Sequence, residues 1–167
     1  MSKELIVSTD EKSKKFKISK IENGTIIDRI PPRMSEKVIK ILDIPEENLV
    51  MIGKNFDSDK MKLKDIIKVE NYYPSQGEID KLAVVCRNAE FPITVTFIEK
   101  GEKRSKLEVQ LPDEIINVIR CINPKCITVM EPHTVLEKVF YTIENQPLVV
   151  RCKYCERKIK DEDIELL

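Results

Sequence analysis

Four cysteines near the C-terminus constrain this chain more than any other feature. Cys121 and Cys126 form a C-x4-C pair in "CINPKC", and Cys152 and Cys155 form a C-x2-C pair in "CKYC". Each pair can turn both sulfurs toward one point, and two such turns make a tetrahedral site of four thiolates. A hairpin is expected to carry the chain from one pair to the other. Four thiolates suit zinc, a soft, redox-inert tetrahedral ion, with iron as the other candidate. Catalytic zinc usually has three protein ligands and an open position, so a closed four-thiolate shell reads as structural. The segment 113–167 spans about 55 residues, small for an apolar core on its own. Structural zinc contributes on the order of 10–16 kcal/mol to folding in such modules. The competing readings are four unrelated thiols, which this spacing disfavours, and replacement of one cysteine by His133. That histidine, next to Pro132, is read instead as solvent-facing.

The metal reading depends on compartment. The N-terminal stretch "MSKELIVSTDEKSKKFK" has no apolar run of signal-peptide length, and no stretch approaches the ~20 apolar residues of a membrane span. The expected location is the cytoplasm, where thiols stay reduced and paired cysteines are metal ligands rather than disulfides. The fifth cysteine, Cys86, falls on the apolar stripe of an expected helix and reads as a core residue.

Residues 1–15 are polar and lysine-rich and are expected to be a flexible extension. In "FKISKI", Phe16 and Ile18 alternate with Lys17 and Ser19, a strand signal, and "ENGTIIDRI" follows after a turn at Asn23-Gly24. "SEKVIKIL" predicts a short helix capped by Ser35. "NLVMIGKNF" and "KDIIKVENYY" predict two strands around a polar turn at residues 57–60. "SQGEIDKLAVVC" predicts a helix with Ser75 and Glu78 at capping-box spacing and Ile79, Leu82, Ala83 and Cys86 on one stripe. "PITVTFI" alternates as a strand, "EKGEKRSK" is a charged turn around Gly101, and "KLEVQL" resumes the alternation. The order is that of a ferredoxin-like βαββαβ domain with one extra strand, an α+β fold with helices on one face of a mostly antiparallel sheet. We expect this domain over residues 16–112 and a small all-β, zinc-ribbon-like domain over 113–167.

Several function classes are disfavoured. Lys+Arg and Asp+Glu balance at 29 each, so no global field holds the chain on nucleic acid or an anionic membrane. There is no phosphate loop, nucleophile elbow, dinucleotide fingerprint or zinc-protease motif, and a single histidine leaves acid–base chemistry poorly supplied. A nucleic-acid-binding zinc ribbon is the alternative that the cysteines allow, although few aromatics accompany them, Phe140, Tyr141 and Tyr154. In "KDIIKVEN", Lys64, Ile66 and Lys68 share one strand face. Two lysines there can converge on phosphates, or be an ordinary solvated face.

"GTIIDRIP", "IGKNF" followed by "MKLKDIIKVEN", and the two cysteine pairs with "CKYCE" resemble, in order, the regulatory chains of aspartate carbamoyltransferases. The resemblance runs from about residue 16 to the C-terminus. It implies a non-catalytic subunit of pyrimidine biosynthesis. An N-terminal domain would bind the nucleotide effectors CTP and ATP, and UTP as a further effector. A C-terminal zinc domain would dock on catalytic chains, which form trimers, and the regulatory chains would pair as homodimers. Carried over by motif, the nucleotide site comprises Ile18, Lys20, Asp28, Lys64, Ile66, Lys68, Thr94, Thr96 and Lys106, with Lys103 as the alternative to Lys106. The metal ligands are Cys121, Cys126, Cys152 and Cys155. No catalytic residue is implied. Two departures stand out: Arg29 where the family often has histidine, and the charged "EKGEKRSK" in place of a more apolar hairpin.

Overall fold

The computed structural model describes residues 20–131 and 135–167. Its first sheet has five strands in the order β2-β3-β1-β4-β5, all antiparallel. They are β1 (Gly24–Ile30), β2 (Val50–Asp57), β3 (Leu63–Glu70), β4 (Thr94–Glu99) and β5 (Glu102–Glu108). Helices α1 (Ser35–Ile41) and α2 (Gln76–Val85) complete the βαββαβ order with its extra strand. Alternation decides the faces. Ile27 and Ile30 of β1, Ile67 and Val69 of β3 and Val95 of β4 are buried against Val38 and Leu42 of the α1 segment and Ile79, Leu82 and Ala83 of α2. Burying an aliphatic side chain of this size stabilises by about 1.5–3 kcal/mol, so this layer dominates the stability of the unit.

Local signals explain where elements begin. α2 starts with the expected capping box: the Ser75 side chain accepts from Glu78 N, and Glu78 Oε2 accepts from Ser75 N at 2.8 Å. β1 begins at Gly24, whose φ of 134° suits glycine, and a Cβ there would meet the Val69 carbonyl at 2.1 Å. The hairpin between β4 and β5 is tighter than its charge suggested. Glu99 pairs with Glu102 across Lys100 and Gly101, both at positive φ, so β5 already starts at Glu102.

Two expectations change. The strand expected in "FKISKI" lies mostly outside the described residues, and Lys20 and Ile21, which are described, belong to no strand. Ser35 does not cap α1: the cap position is Met34, without a side-chain cap bond. The partner comes from β3 instead. Asp65, fully buried, accepts from Arg33 N at 3.1 Å, Ser35 N at 3.4 Å and Asn55 N at 3.0 Å, tying the start of α1 and the bulge of β2 to one carboxyl group.

The second unit has a four-stranded antiparallel sheet, β10-β9-β8-β6, and a two-stranded ladder, β11-β7. Its strands are β6 (Glu114–Ile116), β7 (Ile119–Arg120), β8 (Val139–Asn145), β9 (Leu148–Cys152), β10 (Lys158–Lys160) and β11 (Glu165–Leu166), with one four-residue helix, α3 (Ile127–Met130). Its core joins Ile115, Val118, Ile119, Phe140, Leu148, Val150 and Ile159 to three of the paired cysteines. Val84 of α2 is fully buried in this second core, so α2 serves both units. Just past α2, Arg87 pairs with Asp161, donates to the Asp161 carbonyl at 2.9 Å and to Val84 O at 2.7 Å, and Asn88 donates to Asp161 Oδ2 at 3.1 Å. Among the described residues, no helix is long and apolar enough to cross a membrane.

Candidate metal centre and effector site

The four paired cysteines meet. Their Sγ atoms all lie within 4.8 Å of one another, with Cys121 to Cys155 at 3.6 Å and Cys126 to Cys152 at 3.8 Å. A tetrahedral metal with bonds of about 2.3 Å to sulfur would separate its ligands by about 3.8 Å, so the spacing suits such an ion. All five cysteines of the chain are free thiols. Each pair is set by a turn: Cys126 N donates to Asn123 O at 2.9 Å in the first, and Glu156 N donates to Cys152 O at 3.0 Å in the second. The β9–β10 connection then returns, with Cys152 N donating to Arg157 O at 3.0 Å. His133, the other ligand type considered, lies outside the described residues.

The electrostatics show why this cluster needs a cation. Burial pushes the Cys121 and Cys152 thiols up, and the neighbouring sulfurs add to it against nearby backbone N–H donors. At Cys155 burial acts the same way, but the Asn123 side chain and the Arg157 N–H outweigh it and bring this thiol down to about 7. Thiols this close cannot all ionise together in a low-dielectric site unless a bound ion offsets the charge. Cys86 stands apart, half-buried beside the first core, its thiol pushed up to about 11 by burial. It is a packing residue, as its stripe predicted.

Seven of the nucleotide-site candidates, Asp28, Lys64, Ile66, Lys68, Thr94, Thr96 and Lys106, lie on the sheet face opposite the helices. Residues directly across an antiparallel pair share a face. Lys68 faces Ile26, Ile26 faces Thr96, and Thr96 faces Lys106, while Asp28 faces Thr94 and Thr94 faces Glu108. Lys64 and Ile66 alternate with the buried Asp65 and Ile67 and so join the same face. Lys64 Nζ lies 2.9 Å from Asp28 Oδ1, and Arg29 N donates to that oxygen at 2.8 Å. Asp28, Lys64 and Lys106 line one surface pocket of about 260 Å³ together with Arg29 and the turn 57–60. Arg29 also pairs with Glu108 at 3.0 Å. Burial pushes the Lys68 ammonium pKa below its usual value. Thr94 is fully buried, yet its hydroxyl makes no hydrogen bond among the described residues.

Not every candidate joins this pocket. Ile66, Lys68, Thr94 and Thr96 lie on the same face but do not line it. Lys20 is exposed and precedes the Gly24 end of β1, which pairs with Glu70 and Ile98, the far end from Asp28. Ile18 lies outside the described residues. Lys60 was missed by the sequence reading. Its turn showed only as a polar connection, and the β2–β3 hairpin is what brings it beside Lys64.

Residues 16–110 match the family described as aspartate carbamoyltransferase regulatory chain, allosteric domain, and residues 113–165 match the metal binding domain of the same chain. Curated relatives agree over nearly the whole length. The aspartate carbamoyltransferase regulatory chain of Thermococcus sibiricus is 40% identical over 148 residues, covering 89% of this chain and 94% of that protein. That of Parabacteroides distasonis is 40% identical over 155 residues, covering 92% and 96%. That of Methanopyrus kandleri is 37% identical over 153 residues, covering 91% and 95%. With a four-cysteine metal site in the second unit and a matching allosteric domain in the first, the chain belongs to the aspartate carbamoyltransferase regulatory chain family.

Proposed function

We propose that this non-catalytic chain binds the nucleotide effectors CTP and ATP, and UTP as a further effector, on the helix-free face of residues 16–112, and passes their effect to catalytic chains through residues 113–167. The observation that carries the reading is the gathering of Lys60, Lys64, Lys106 and Arg29, with Asp28, Asp57 and Asp59 among them, at one end of that face. The pocket is smaller than the ~300–1,000 Å³ of a typical small-molecule site, which suits the terminal phosphates, with the rest of the triphosphate and the nucleoside lying along the sheet past Ile66 toward Lys68, Ile26 and Thr96. Lysine ammonium groups neutralise phosphate charge there, and a phosphate would compete with Asp28 for Lys64. The Thr94 hydroxyl, without a partner among the described residues, offers a further polar contact.

Zinc is the ion proposed for Cys121, Cys126, Cys152 and Cys155. Four thiolates in a closed tetrahedron suit a redox-inert soft ion and hold the two turns rigid. Around them, Asn123, Lys125, Lys153, Tyr154, Glu156 and Arg157 form a polar surface, and the exposed Ile127 and Met130 of α3 add an apolar element to it. This is the surface proposed to meet the catalytic trimer, charges setting specificity and buried apolar groups affinity. A homodimer through the edge of the first sheet is also proposed. The β5 edge is charged at five of its seven positions, whereas β2 and the residue before it expose Ile52 and Leu49, so β2 is the edge suited to pairing. The cytoplasm is the proposed location.

The test is an activity titration with CTP, ATP and UTP on enzyme reassembled with this chain, together with calorimetry on Lys68→Ala. Loss of one charge-assisted phosphate contact, about 1.5–3 kcal/mol, should weaken binding at least about tenfold. Unchanged affinity in Lys68→Ala would move the site elsewhere.

A further inference from the structure

A polar side chain is buried beside the metal centre. Thr128 is only 5% exposed, in a unit whose core is otherwise apolar. Burying a hydroxyl costs free energy unless it finds a partner. Its partner is a metal ligand: Thr128 Oγ1 lies 3.1 Å from Cys126 Sγ, itself 1% exposed. Cys126 is the cap residue of α3, and its sulfur makes no cap bond to the helix backbone. The hydroxyl two residues on is what this sulfur meets.

The chemistry of the pair depends on the ion. A neutral thiol is a poor hydrogen-bond acceptor, so against one this contact offsets little of the burial cost. When Cys126 is ionised on a metal, the hydroxyl must donate and the bond becomes charge-assisted, roughly twice as strong as a neutral one. The contact therefore gains strength when the sulfur binds a metal as thiolate. The other sulfurs have donors of their own: the Asn123 backbone for Cys121, the Tyr154 and Cys155 backbones for Cys152, and the Asn123 side chain with the Arg157 backbone for Cys155.

We infer that Thr128 is a positioning residue of the metal centre: its hydroxyl donates to Cys126 Sγ, orients that sulfur and offsets part of the thiolate charge, and so sets how tightly the centre retains its ion. This rests on the four-cysteine reading of the site, and the test separates the two.

The full-length chain, Thr128→Val and Thr128→Ser are each loaded with Co²⁺ or Zn²⁺. The thiolate-to-Co²⁺ charge-transfer bands and the metal affinity against a chromogenic chelator are then read. Thr128→Val keeps the shape and removes the donor. It should bind about 10–100-fold more weakly, with the charge-transfer bands shifted. Thr128→Ser keeps the hydroxyl and should stay within about threefold of the unsubstituted chain, a band narrow against that loss. A Val variant that takes up no ion while the Ser variant does is the same result at its limit. Equal affinity in all three chains overturns the inference, as does an equal loss in both variants or failure of both to load, since packing rather than the hydroxyl would then decide. An unsubstituted chain without stoichiometric Co²⁺ and thiolate bands overturns the four-cysteine reading itself, and this inference with it.

Discussion

Asp65 shows how one residue can hold several segments. Its alternation with Lys64 and Ile66 points it away from the lysine face, into the layer between sheet and helices, where an acid would be costly if unpaired. Three backbone N–H groups converge on it from segments up to 32 residues away in sequence. Asparagine has nearly the same shape but turns one acceptor into a donor that faces those N–H groups. Asp65→Asn should cost about 2–3 kcal/mol, read by urea unfolding of the full chain. A change under about 0.5 kcal/mol, the scatter of an ordinary surface substitution, would show that these contacts are not what secures the start of α1. Lys68 belongs to the same scale. Burial lowers its pKa from 10.5 in the nucleotide-free chain, so if Lys68 holds phosphate as proposed, binding above that lowered pKa takes up a proton. Nucleotide affinity should fall as the pH rises through this lowered pKa, below the range where an ordinary lysine titrates. Calorimetry in buffers of different ionisation enthalpy reads the proton uptake. Affinity that stays flat up to pH 10.5, with no proton uptake, would remove Lys68 from the site.

At the scale of elements, α2 connects the two units. One side of the helix gives Ile79, Leu82 and Ala83 to the first core, Val84 enters the second, and Arg87 holds Asp161 just beyond its end. Arg87→Met keeps the aliphatic length and removes the hydrogen bonds. We expect a loss of about 1–2 kcal/mol, toward the lower part of the charged hydrogen-bond range because the pair is partly exposed. Faster hydrogen exchange at residues 84–88 should accompany it, with a weaker effector response in the assembled enzyme and unchanged nucleotide affinity. An unchanged effector response would leave the contact a local one. The pH sign follows from Asp161. Its hydrogen bond with Arg87, against a smaller effect of burial, lowers its pKa from 3.8. The contact is thus complete at neutral pH, and its contribution is lost as the pH falls through that lowered value, below 3.8.

For the whole molecule, the proposed roles of the metal centre and the sheet edge concern assembly. Removing the metal, or replacing Cys152 by serine, leaves closely packed thiols whose charges no ion offsets. The segment 113–167 should then unfold and lose association with catalytic trimers, while the first sheet stays folded and still binds nucleotide. Val84 would lose its packing in the process, so the first unit should also become modestly less stable. Gel filtration of mixed subunits with and without a chelator reads the assembly, and hydrogen exchange reads each unit. A Cys152→Ser chain that still assembles and still transmits an effector response would end the docking proposal. For the homodimer, Ile52→Lys puts a charge on the exposed β2 edge, and light scattering should shift from dimer to monomer. A dimer that persists would place the contact on another surface.

Some of this was legible from the chain alone. The cysteine spacing, the capping box at Ser75 and Glu78, and the strict alternation of "PITVTFI" are each set within a few residues. Their physics is local: ligand reach within a turn, a cap bond over three positions, the two-residue period of a strand. They determined the metal cluster, the α+β order and which face of each strand is apolar. Tertiary structure decided what depends on residues far apart. Asp28 meets Lys64 across 36 positions and Arg87 meets Asp161 across 74, and neither pairing has a local signature. Ser35 looked like a cap because the residue that bonds the helix start lies on another strand. Strand register set which lysines gather around Asp28, and helix packing gave Val84 to the second core. Both depend on where the chain returns in space, which spacing along it does not specify.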